Sequence, residues 1–171
     1  MERLVRIAEL LRYKYKFNGY IHMKAIPGAS EELVKRMGLL VDRMSINIEL
    51  PTKKSLALLA PDKKIGDIVR PMANVKNEMI VYGADRLRFA HTPKFLPAGQ
   101  TTQMIIGAGG ESDLDIIKTS EKLYNNYFLK RVYYSGFVPV VKSKYIEAID
   151  KAPLLRCLLY TSDAADDSLR V

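Results

Sequence analysis

The residues able to do chemistry gather in three short stretches, and the densest is GQTTQMIIGAGGESDLD, Gly99 to Asp115. Met104, Ile105 and Ile106 form an apolar run that predicts a strand. Gly107, Gly109 and Gly110 then free the backbone to turn tightly, and Ser112 with Asp115 fits the Ser-x-x-acid pattern that opens a helix. Backbone N–H groups at such a helix start can hold a polar or anionic group, which suits the segment to cradling a small ligand. A plain strand-to-helix connection can use the same Gly-x-x-Gly-Glu turn. Gln100 and Gln103 flank a Thr pair ahead of it, and Gln103 shares a strand face with Thr101 and Ile105. An amide beside a flat apolar contact is what an adenine pocket requires; the alternative is a core strand with one polar intruder.

The second stretch is Ser45 to Leu50, where Asn47 and Glu49 stand two apart on a predicted strand and share its polar face. Together they can hydrogen-bond a ribose or an amino group. An ion pair from Glu49 to Lys24 or Arg131 is the structural alternative. His22 and Lys24 make a third, inward pair able to meet a carboxylate or phosphate, or to be satisfied within the sheet. Tyr133, Ser135 and Phe137 share a face of the last strand, where aromatic core packing is expected. Arg86, Arg88, His91 and Lys94 mix with Phe89 and Phe95 as in a loop that binds phosphates and bases. Two histidines in the whole chain leave a zinc site without ligands. No Ser, His and acid arrangement stands out, and GAGGES lacks both the Lys-Ser/Thr end of a P-loop and the glycine spacing of a dinucleotide fingerprint, so a hydrolase or kinase is disfavoured.

Elements that would position these groups can be read from periodicity. Met1 to Phe17 carries Leu4, Ile7, Leu11 and Tyr15 at helical spacing and stops at Asn18 and Gly19. Tyr20 to Ile26 alternates as a strand, closed by Pro27 and Gly28. Ser30 caps a helix with Leu33, Met37, Leu40 and Val41 inward. Ser45 to Leu50 is the next strand, ended by Pro51, and Thr52 can cap a helix after it. Lys53 to Tyr82 is helical in two pieces broken around Pro61 and Pro71. Asp85 to Gly99 is expected as loop, Thr101 to Ile106 as strand, Asp113 to Phe128 as helix with Leu114, Ile117, Leu123 and Tyr127 inward, and Arg131 to Val138 as strand. Regular alternation of this kind predicts an α/β fold of right-handed β-α units around a parallel sheet. Fully covered parallel strands are apolar on both faces, whereas these carry His22 with Lys24 and Ser45 with Asn47 and Glu49. One side of the sheet therefore meets water or a polar ligand, which suits an open or partial barrel.

Length and a 48% hydrophobic content suit one globular domain, and no apolar run approaches a bilayer span, so no membrane partner and a cytoplasmic setting are expected. The net charge of +8 is spread along the chain and admits nucleic acid as a partner. From Cys157 to Asp167 the sequence reads CLLYTSDAADD, which resembles the translation of a transposon-based sequencing adapter; residues 157–171 are then not native and 1–156 form the domain. Without them Lys plus Arg falls from 27 to 26 and Asp plus Glu from 19 to 16, a charge of +10 with no cysteine.

Five segments, YIHMKAIPGAS, SINIELPT, APDKKIGDIVRPM, AGQTTQMIIGAGGESD and LKRVYYSGFVPV, together resemble the radical S-adenosylmethionine superfamily, and more narrowly the putative DNA modification or repair radical SAM proteins. The resemblance covers nearly all of Met1 to Arg156. It implies a partial (β/α)6 TIM-like barrel, of which this chain holds about four parallel strands, three to six, with flanking helices. It also implies that the CxxxCxxC loop for a [4Fe-4S] cluster lies upstream, Met1 being an internal methionine of a longer protein. Ser45, Asn47 and Glu49 fall where the family's fourth strand binds ribose. Gln103, Ile105, Gly107 and Gly110 fall on the fifth strand and its turn, where an Ile supports adenine. Ser112 replaces the family's common Thr, Gln103 replaces the first Gly of the older Gly-x-Ile-x-Gly-x-x-Glu form, and Glu111 comes one residue late. His22 and Lys24 are candidate substrate or cofactor contacts. The resemblance implies that the intact enzyme uses S-adenosyl-L-methionine and an external electron donor to form a 5'-deoxyadenosyl radical that acts on a nucleic-acid substrate, the fragment alone being inactive. The alternative is a non-catalytic α/β module that binds phosphate or nucleic acid.

Overall fold

The computed structural model describes residues 1–138 and 153–165, with the side chains of 161–165 left aside. Its centre is a four-stranded, all-parallel sheet in which spatial order equals chain order: β1 (His22–Lys24), β2 (Arg43–Ser45), β3 (Gln100–Ile106) and β4 (Leu129–Gly136). Helices connect the strands: α1 (Glu2–Glu9) precedes β1, α2 (Glu31–Leu40) joins β1 to β2, α3 (Lys53–Leu59) and α4 (Ile65–Arg88) join β2 to β3, α5 (Asp113–Tyr127) joins β3 to β4, and α6 (Leu154–Ala165) packs on β4. No described helix is long and apolar enough to cross a membrane.

Local chemistry starts the helices where the sequence predicts. Ser30 Oγ accepts from Leu33 N at 3.4 Å, Thr52 Oγ1 from Ser55 N at 3.1 Å, and Ser112 Oγ from Asp115 N at 3.2 Å. Asp115 in turn accepts from Ser112 N at 3.1 Å, completing a capping box. The core then forms between the helices and one face of the sheet: Met37, Met44, Ile46, Ile68, Met72, Met104, Ile106 and Ile116 are each at most 1% exposed. Each such side chain contributes about 1.5–3 kcal/mol on leaving water.

Several expectations shift. The first helix passes into a π-helical turn, Leu10–Lys14, and buries Val5 and Ala8, while Ile7 and Tyr15 stay exposed. Arg12 holds that end down by donating to Leu40 O, Phe17 O, Gly19 O and Asp42. The second strand lies earlier than Ser45–Leu50. Backbone bonds from Ala25 N to Ser45 O and from Met44 N to Gly99 O define it, and residues 46–49 continue beside β3 irregularly. The long helical stretch breaks at Pro61, and Pro71 sits inside α4, which runs on to Arg88. A proline there costs about 3 kcal/mol, which the burial of Ile68, Met72 and Val75 outweighs. On α5 the inward residues are Ile116, Ser120 and Leu123; Leu114 and Ile117 face solvent. Phe95 is core, stacked on Tyr82 at 5.2 Å, and so leaves the expected basic and aromatic loop, whereas Phe89 is exposed. The expected end of the last strand at Pro139 lies outside the described residues.

Candidate functional site

Opposite the core, the odd-numbered residues of β3 share one face, where Thr101 is fully buried and Gln103 and Ile105 are half-buried. Gln100 and Thr102 belong to the other side. Gln100 donates to Met72 O and Tyr127 O on the covering helices, and Thr102 Oγ1 accepts from Ile48 N at 3.0 Å. On the open side Asn47 Nδ2 donates to Gln103 Oε1 at 3.3 Å, and Gln103 Nε2 donates to Ser135 Oγ at 3.1 Å. One chain of amides and a hydroxyl therefore crosses from the β2 extension through β3 to β4. Asn47 is buried, Gln103 and Ser135 half-buried, and half-buried Ile105 comes after Gln103 on the same face.

Glu49 ends the row. Its φ is +66°, yet its N–H donates to Gln103 O at 3.2 Å and its carbonyl accepts from Ile105 N at 2.7 Å, so both neighbours hold it in the left-handed region. Lys63 Nζ reaches its carboxylate at 3.0 Å and Lys24 Nζ at 3.5 Å. The ion pair to Lys24 is thus present, and Arg131 lies elsewhere. Ser45 is half-buried, in register with Lys24 and Thr101.

The other half of the face is basic and aromatic. His22 is paired in register with Arg43, whose guanidinium lies 5.9 Å from the Tyr20 ring and whose Nη1 is 3.5 Å from the Tyr133 hydroxyl; Arg131 lies 5.7 Å from the Tyr133 ring. Partial burial, then the nearby Arg43 charge, holds His22 below its ordinary pKa. Tyr133 is exposed here, so its expected core role gives way to a place on this face.

The two glycines singled out from the turn differ. Gly107 has φ +84°, and a Cβ there would stand 2.6 Å from Pro153 Cγ, so Pro153 covers it. Gly110 is exposed, with open space where its Cβ would be. Thus Asn47, Glu49, Gln103 and Ile105 come together, with Lys24 at the edge, while Ser45, His22, Gly107 and Gly110 stand outside the row. Lys63 and Ser135 are the members that sequence reasoning missed. Ser135 carried a signal, its shared face with Tyr133; Lys63 sits in a loop and carried none. Among the described residues no three His, Cys, Asp or Glu side chains gather as a metal site. No protein-family model, curated protein or solved structure matches the chain.

Proposed function

We propose that the open face is the nucleoside-binding part of a radical S-adenosylmethionine enzyme core, its strands standing as three to six of a partial (β/α)6 barrel. The observation that carries this reading is the Asn47–Gln103–Ser135 chain beside Ile105, on the open side of a parallel sheet whose strands keep chain order. The half-buried Gln103 amide, braced by buried Asn47, offers a donor and an acceptor to a base edge, Ile105 offers the apolar surface beneath it, and the Glu49 carboxylate can accept from ribose hydroxyls. Lys24 and Lys63 hold that carboxylate in place meanwhile. When bound, S-adenosylmethionine supplies an adenosyl group attached to a sulfonium that one-electron reduction can cleave. The residues of this chain bind and orient the adenosine end only. They do not fit a [4Fe-4S] cluster: the sole cysteine is Cys157, on α6, so no step of that chemistry runs on this chain. The external electron donor and a nucleic-acid substrate belong to the same proposal for the intact parent.

Two measurements test it. A CxxxCxxC in the reading frame upstream of Met1 is expected; unrelated sequence or a stop codon there sinks the enzyme reading. Equilibrium dialysis with labelled adenosine should show binding that Gln103→Met abolishes, and binding untouched by that change would remove the row from the site.

One observation favours a second reading, a nucleic-acid binding module without catalysis: Arg43 and Arg131 interleave with Tyr20 and Tyr133 on the same face. Guanidinium and aromatic groups in one row suit phosphates and stacked bases. Single-strand binding that weakens steeply with salt, without adenosine binding, would favour it.

A further inference from the structure

Between Glu9 and Glu31 the chain holds no acid, and within that stretch cations alternate with rings: Arg12, Tyr13, Lys14, Tyr15, Lys16 and Phe17 run on through Asn18 and Gly19 to Tyr20. Folding leaves the rings in water. Tyr13 and Tyr15 are 65% and 66% exposed, and Phe17 and Tyr20 are exposed with them. The segment is nonetheless braced. Tyr15 N donates to Leu10 O and Phe17 N to Leu11 O, both at 2.9 Å, and Lys16 takes a φ of +50°. Arg12 donates to Phe17 O at 2.7 Å and to Gly19 O at 2.9 Å. Its ion pair also occupies the Asp42 carboxylate, which accepts from Ile21 N at 2.8 Å as well. Contiguous apolar surface held open in this way marks a place where something binds.

Contacts lead step by step from this loop onto the sheet. Lys14 Nζ lies 5.6 Å from the centre of the Tyr15 ring, and the Phe17 ring lies where a Cβ of Gly19 would be, beside Tyr20 in the chain. Tyr20 meets Arg43, Arg43 meets the Tyr133 hydroxyl, and the Tyr133 ring meets Arg131. The last strand adds no acid either, since residues 129–138 carry Lys130 and Arg131 as their only charged groups. Cation and ring therefore recur together along the whole band. A nucleotide answers both, with a base for the ring and a phosphate for the cation. An acidic peptide would leave the rings unused, and an anionic bilayer would meet the exposed loop but not half-buried Arg43. Bases reach such rings only when they are not stacked inside a duplex.

We infer that the loop from Tyr13 to Tyr20 and the Arg43, Tyr133 and Arg131 row form one path for a single-stranded nucleic acid, with bases on Tyr13 and Tyr15 and phosphates on Lys14 and Lys16. The inference rests on the nucleic-acid reading of the sheet face and extends it to a loop outside the sheet. Fluorescence anisotropy of the full chain with labelled oligo-dT and oligo-U of about 15 nucleotides, and with a duplex of equal length, tests it. Binding of either strand supports the path, and the tighter of the two names DNA or RNA as its source; the duplex should bind about tenfold more weakly or worse. Tyr13→Ala and Tyr15→Ala should each weaken strand binding about tenfold. Lys14→Gln combined with Lys16→Gln should lower the slope of log affinity on log salt by about 1.4. These side chains are exposed, so an unchanged urea midpoint should accompany each loss. Weakening by Tyr133→Ala alone, with full binding in the loop variants, overturns the inference and leaves the reading of the sheet face standing. No binding of either strand overturns both. Equal affinity for the duplex, or binding to phosphatidylserine vesicles in place of the strands, overturns the inference as well.

Discussion

Gln103 joins two partners of unequal burial, and that inequality fixes what its replacement should cost. Gln103→Met keeps the length of the side chain and removes only its two hydrogen bonds, at 3.3 Å to Asn47 and 3.1 Å to Ser135. By distance alone the Ser135 bond is the better one. Burial decides otherwise: half-buried Ser135 can turn to water, whereas Asn47 is 6% exposed and cannot. Stranding the Asn47 amide costs about 1–3 kcal/mol, and losing the Ser135 bond about 0.5–1 kcal/mol. In an Asn47→Ala background the stranded group no longer exists, so the same Gln103→Met change should cost only the smaller amount. A double-mutant cycle by urea denaturation should then give a coupling of about 1 kcal/mol or more, well above the roughly 0.3–0.5 kcal/mol scatter of independent sites. Equal costs in the two backgrounds would refute the assignment of burial as the deciding factor and leave the row a set of exposed, replaceable contacts.

Gly38→Ala on α2 gains about 1 kcal/mol of helix propensity, but its Cβ would stand 2.3 Å from two atoms of the Phe95 ring, and overpacking of about 1–3 kcal/mol should win; a lowered Tm is expected, and a raised one would mean that Phe95 moves freely. His22 binds its proton less readily in the folded chain than at the ordinary 6.5, so stability is full above that value and falls as pH drops through the folded pKa; because His22 is exposed the slope is shallow, and His22→Gln should flatten it in urea titrations at pH steps across that range. Asp115 is held below its ordinary 3.8 by the hydrogen bonds from Ser112, so its contribution is present above that value and lost as pH falls through the lower folded one; Asp115→Asn should remove this part of the acid-side decline, and an unchanged acid limb would show the capping box to be idle.

Features set by neighbours in sequence are the ones legible without the structure. The caps at Ser30, Thr52 and Ser112 each depend on a side chain reaching three residues ahead, and all three form. The α/β class and parallel sheet come likewise from alternation. What misled was polarity satisfied at long range. Ser120 looks like a solvent residue, yet it donates to Ile116 O and accepts from Tyr134 OH, which turns α5 by a residue relative to its apolar pattern. At the site, the Lys24–Glu49 pair and the Asn47, Glu49 and Gln103 face could be read from strand spacing. The link from Gln103 to Ser135, across 32 residues, and the approach of Lys63 could not, because they depend on how strands and loops close in space.

The left-handed backbone at Glu49 also acts as a register key. A strand that slips by one position turns every side chain to the opposite face, which a sheet with one buried face resists. Such a slip would bring Ile48 or Leu50 to the place where φ is +66°, and β-branched isoleucine is far more strained there than glutamate. It would also turn Asn47 into the Met44 and Met104 core and carry Ile48 out to water. The unusual torsion thereby opposes the slip that brings Ile48 to it, and the burial of Asn47's amide in an apolar core opposes a slip in either direction.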